Sequence, residues 1–109
     1  MDFKTYQKKA RLTAQYPDLG SNIIYPTLGL VGEAGEVAEK VKKVIRDKKG
    51  IFDEESKKGI KKELGDVLWY LSNLCTEFEF SLEEVALQNL EKLKKRADMG
   101  RISGSGDDR

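Results

Sequence analysis

Two short runs of the chain carry the same acidic step: Glu33-Ala34-Gly35-Glu36-Val37 and, thirty residues later, Glu63-Leu64-Gly65-Asp66-Val67. Both read acid-x-Gly-acid-Val. Acids three apart lie on one side of a helix, so each run projects a pair able to grip one ion. Four carboxylates within a few ångströms repel one another and raise the pKa of some of their number unless cations neutralise them. An all-oxygen donor set selects a hard divalent ion, Mg²⁺ with Mn²⁺ as a substitute, ahead of zinc or copper.

What the chain lacks narrows the chemistry further. Without a single histidine it has no Ser-His-Asp or Cys-His nucleophile, no imidazole-ligated zinc and no di-iron site built on Glu-x-x-His. Cys75 is alone, so neither an internal disulfide nor a multi-cysteine zinc site is available; in an apolar helical stripe it reads as a structural thiol. Neither Gly-x-x-x-x-Gly-Lys nor Arg-Glu-x-x-Glu-Glu occurs, which argues against a P-loop protein and a Nudix-type hydrolase. Carboxylates, Lys, Arg and Tyr remain to do the work.

The elements that must position the acids follow from periodicity. Residues 2–15 read as a first helix, and Pro17 to Pro26, with Gly20, Ser21 and Asn22 between them, as a loop. Leu28, Leu30, Val31, Ala34, Val37, Ala38, Val41, Val44 and Ile45 then recur at three-and-four spacing, the mark of a long amphipathic helix ending near Gly50. Asp53 with Glu54 and Glu55 is an N-cap with an acidic first turn, and Ile60, Leu64, Val67, Leu68, Leu71, Leu74, Cys75 and Phe78 carry the next helix to about residue 79. Ser81-Leu82-Glu83-Glu84 fits a capping box opening a last helix to about residue 97. The predicted class is all-α, a compact four-helix bundle around a central antiparallel helical hairpin, over residues 1–97, with an irregular tail at 98–109. No strand-like alternation of useful length competes with it.

Within that hairpin the acids must meet. The two acidic steps are placed symmetrically about position 49.5, the predicted turn, so at about 1.5 Å rise per residue they stand at matching heights. Equal angular positions on two antiparallel helices bring Glu33, Glu36, Glu63 and Asp66 to one flank. Gly35 and Gly65 each cost about 1 kcal/mol inside a helix relative to alanine, which points to close helix approach or to room for a ligand.

These residues resemble a known family. Leu28-Gly29-Leu30-Val31-Gly32-Glu33-Ala34-Gly35-Glu36 and Lys62-Glu63-Leu64-Gly65-Asp66-Val67-Leu68-Trp69-Tyr70 are similar to the MazG-like all-α nucleoside triphosphate pyrophosphohydrolases, whose pattern is Glu-x-x-Glu, a spacer, then Glu-x-x-Asp; the spacer here is 26 residues. The resemblance covers roughly residues 24 to 97. It implies Mg²⁺-dependent conversion of a nucleoside triphosphate to monophosphate and pyrophosphate, in dimers or dimer-derived tetramers whose neighbouring subunit helps to shape the pocket. Asn89, Lys92 and Arg96 resemble the substrate-facing amide and basic groups of the family's last helix, and Tyr70 a substrate-side aromatic. Independently of the resemblance, Lys40 and Lys43 are candidates for holding outgoing phosphates, within a run that otherwise reads as a solvated face. Phe3, Tyr6, Tyr16 and Tyr25 are aromatics available to a base or to packing.

Charge and hydropathy set the partners. Twenty basic against nineteen acidic residues leave a net charge of +1, no basis for general nucleic-acid binding. No run approaches the length of a membrane span, and Met1-Asp2-Phe3-Lys4 lacks the apolar core of a signal peptide, so a cytoplasmic protein is expected. A non-enzymatic helical interaction module with an acidic stripe, and the same chemistry on a nucleotide alarmone or noncanonical nucleotide, remain open alternatives at the level of sequence.

Overall fold

The computed structural model describes residues 1–100. They form four helices in the order α1 (Phe3–Leu12), α2 (Ile24–Asp47), α3 (Glu54–Glu77) and α4 (Leu82–Asp98), with no strand among the described residues. The all-α class and the four helices match the sequence reading. The expected tail beyond Gly100 lies outside the described residues.

Local chemistry explains each boundary. Asp2, Asp53 and Ser81 cap α1, α3 and α4, their side-chain oxygens accepting from the backbone amides of Thr5, Ser56 and Glu84. The third of these is the predicted capping box. α2 starts two residues before Pro26, earlier than the loop reading, because a proline in the first turn forfeits an amide that no carbonyl awaits. That proline is fully buried. At the far end α2 stops at Asp47, and the chain turns on two successive left-handed residues, Lys49 (φ 54°) and Gly50 (φ 75°), with the Gly50 amide donating to the Val44 carbonyl at 3.1 Å.

α2 and α3 form the hairpin, α1 lies against α3, and α4 leans on α1 and α3. The junction of α1, α3 and α4 is tied by polar side chains. Gln7 donates to Thr76 Oγ1 and to the Phe80 carbonyl, and its oxygen accepts from the Leu82 amide, stitching α1 to the α3–α4 turn. Trp69 Nε1 donates to Thr13 Oγ1 at 2.8 Å.

The core is small. Ala10, Ala14, Tyr16, Val44, Cys75 and Leu82 are its buried apolar members; burial also pushes the Cys75 thiol up from its ordinary value, in keeping with a structural role. On α2 the apolar pattern splits between two faces. Leu30, Val37, Val41 and Val44 turn inward, while Ile24, Leu28, Val31 and Ile45 are exposed, the first three at 67% each. The radius of gyration is 16.7 Å, against about 13 Å for a compact chain of about 100 residues. The hairpin therefore extends beyond the small core and leaves one side uncovered.

Candidate active site

The acidic steps occupy the middle of α2 and of α3, and the two copies have the same burial pattern. Glu33 and Glu63 are half-buried at the edge of the inter-helix seam; Glu36 and Asp66, one turn on, are exposed. This follows from the angular argument, since the first acid of each step sits at the margin of the inward stripe and the second about 60° farther out.

Glu33, Glu63 and Asp66 each offer a carboxylate oxygen, and those oxygens lie within 4.8 Å of one another. Glu36 is not part of that group. It acts on it through its charge: the Glu33 carboxyl is pushed above its ordinary value by burial, by a hydrogen bond shared with Glu63 that favours the protonated form, and by the charges of Asp66, Glu63 and Glu36. Three oxygens from two helices, with no nitrogen or sulfur donor, fit a hard divalent cation.

Among the described residues, Lys40, Tyr70 and Tyr6 are neighbours of the acids. Lys40 Nζ approaches Glu63 at 3.8 Å, its stem lying over Gly59. Tyr70, one turn beyond Asp66 on α3, lies directly on the α2 backbone at Gly29, where any Cβ would collide with its ring. Its phenol is held above its ordinary value by burial, by a hydrogen bond shared with Tyr25, and by the negative charges of Glu33 and Asp66. Tyr6, on α1, is raised by burial and then by the charge of Asp66.

The remaining expected residues are on α4 and farther along α2. Asn89, Lys92 and Arg96 ride on α4, which does not pack against α2; Asn89 is exposed, Lys92 half-buried and Arg96 buried. Lys43 pairs with Glu39 at 4.0 Å. Gly35 and Gly65 have nothing within 4 Å of where a Cβ would stand, so within one chain they leave open space beside the acids, and Gly29 is the position of close approach. Sequence reasoning did not single out Gly29 as a ring seat or Tyr6 as a neighbour of Asp66. A third omission is Glu77, an acid in the last turn of α3, where the helix dipole disfavours negative charge; that conflict was the available signal that it has specific partners.

The whole chain aligns with the whole of the Gene 37 protein of Mycobacterium phage L5 at 46% identity over 114 residues. No solved structure matches. Residues 26–100 match the MazG nucleotide pyrophosphohydrolase domain, and that span holds both acidic steps, Lys40, Tyr70 and α4. That match spans well over half of the chain, and the chain belongs to the family it describes: this is a protein of the MazG nucleotide pyrophosphohydrolase family.

Proposed function

We propose that the protein hydrolyses nucleoside triphosphates, dNTPs foremost, to the monophosphate and pyrophosphate with Mg²⁺. The observation that carries this reading is the convergence of Glu33, Glu63 and Asp66 oxygens within 4.8 Å across the hairpin. A triphosphate, with about four negative charges, cannot approach such a cluster unless cations lie between.

In this reading Glu33, Glu63 and Asp66 hold the ion. Bound there, a divalent cation supplies charge neutralisation and a water of lowered pKa for attack on the α-phosphorus. Glu36, outside the close group, would be the acid left to take the proton of the attacking water as the new P–O bond forms and the bond to the β-phosphate oxygen breaks. Lys40 already neighbours Glu63 and can follow the departing pyrophosphate; Tyr70 flanks the acids. Asn89, Lys92 and Arg96 reach substrate from α4, in this chain or from a neighbour. The exposed side of α2 with Ile24, Leu28 and Val31 supports assembly as a homodimer, or a tetramer of two dimers, that covers it.

Pyrophosphate release from a panel of dNTPs, noncanonical nucleotides and alarmones in the presence of Mg²⁺ tests the proposal, with Glu36→Gln and Asp66→Asn as controls. Loss of about a hundredfold or more in either variant is expected. Wild-type turnover no greater than that of either variant ends the catalytic reading.

A further inference from the structure

About three turns beyond Asp66 on α3, the side chain of Glu77 is completely buried, far from the acid cluster. Burial would raise its carboxyl, but four donors more than offset that. Its Oε2 accepts from Arg11 Nη2 at 2.7 Å, from the Tyr16 hydroxyl at 2.6 Å and from the Gly20 amide at 3.0 Å, and its Oε1 from the Asn22 amide at 2.8 Å. Arg11 also donates to the Tyr16 hydroxyl and to the buried Asn73. Every donor to Glu77 comes from the end of α1 or from the segment leading into α2. An apolar contact would hold that segment loosely. Two backbone amides on one carboxylate fix its register.

What the segment carries runs towards the acids. Tyr16 stacks on Tyr25 with centroids 5.0 Å apart and planes 16° from parallel, and Tyr25 stands 6.4 Å from Tyr70, the ring seated on Gly29 beside Glu33 and Asp66. Tyr16 is buried at 7% exposure, whereas Tyr25 is 43% exposed. The row thus begins at the Glu77 anchor inside the protein and surfaces at Tyr25, whose ring is tilted 43° to that of Tyr70.

We infer that Glu77 is a positioning residue for nucleobase recognition: by fastening the α1–α2 segment to α3 it holds Tyr25, backed by Tyr16, beside Tyr70, so that the exposed Tyr25 ring offers a stacking face to the base of a nucleotide whose phosphates lie on the acids. The inference rests on the nucleotide reading above and adds a determinant of affinity remote from the chemistry. Planar rings offer a base a stacking face whose loss weakens binding about tenfold.

The test compares a dNTP with methyl triphosphate, which has no base, as substrates of wild type, Glu77→Gln, Tyr16→Phe and Tyr25→Leu. For the dNTP, KM rises about tenfold in Glu77→Gln and Tyr25→Leu, and about threefold in Tyr16→Phe, which removes one hydrogen bond to the anchor and keeps the ring. In each case kcat stays within threefold, KM for methyl triphosphate is unchanged, and Mn²⁺ binds as to wild type. Tyr16→Phe and the exposed Tyr25→Leu preserve the test if Glu77→Gln fails to fold. An unchanged dNTP KM in Tyr25→Leu, or equal losses on both substrates in the anchor variants, overturns the inference alone. A wild type that turns over no nucleotide overturns the hydrolase reading and the inference with it.

Discussion

Tyr70 of α3 rests on the bare backbone of α2 at Gly29, so close that the ring occupies the space a methyl group would need. The contact sets how near the two acid-bearing helices can lie and presents the phenol to Glu33 and Asp66. Gly29→Ala must therefore push the ring away, at a cost of about 1–3 kcal/mol for overpacking, partly offset by about 1 kcal/mol of helix propensity. Thermal unfolding should show a net loss of stability, and nucleotide KM should rise.

Gly35 gives the opposite expectation. Its would-be Cβ meets nothing within 4 Å, so Gly35→Ala gains about 0.5–1 kcal/mol of helix propensity without a clash inside the chain. Chemical denaturation of the variant should show higher stability. If the open space receives substrate or a second subunit, turnover falls even as stability rises.

Much of this was legible in the sequence because it depends on local rules. The caps at Asp53 and Ser81, the turn at Gly50 and the pairing of Glu33 with Glu63 and Asp66 follow from spacing and from 3.6-residue periodicity. What was not legible depends on which of two apolar faces a helix turns inward. Leu28 and Val31 fit the stripe as well as Val37 and Val41 do, yet are exposed. The Glu77 network also escaped, since its donors lie 55 to 66 residues away along the chain and no periodicity links them.

Glu77 makes acid stability a measurable consequence of that network. Its hydrogen bonds from Tyr16, Asn22, Gly20 and Arg11 overcome burial and hold the carboxyl at about 2 in the folded protein, against an ordinary 4.5. A depressed folded-state value means the stabilisation is fully present above about pH 4.5 and lost as pH falls towards 2. Denaturant midpoints across that interval should drop steeply for wild type. Glu77→Gln should start lower at neutral pH and show a shallower decline.

The exposed apolar side of α2 yields a prediction on assembly. Leu28, at 67% exposure, would lie in the proposed interface, and Leu28→Lys should then convert a dimer or tetramer to monomer with little loss of intrinsic helicity. Sedimentation velocity and circular dichroism measure the two quantities. A monomeric wild type would remove the assembly part of the proposal.

On the proposed function, Glu33, Glu63 and Asp66, carried to one flank by two antiparallel helices, hold a divalent cation together. Titration of the protein with Mn²⁺, followed by the loss of the free-ion electron paramagnetic resonance signal, measures this without recourse to turnover. Saturable binding by wild type, weakened at least tenfold in Glu63→Gln and in Asp66→Asn while both variants stay folded, is the predicted result. Wild type that takes up no Mn²⁺, or variants that bind it as wild type does, would contradict the account.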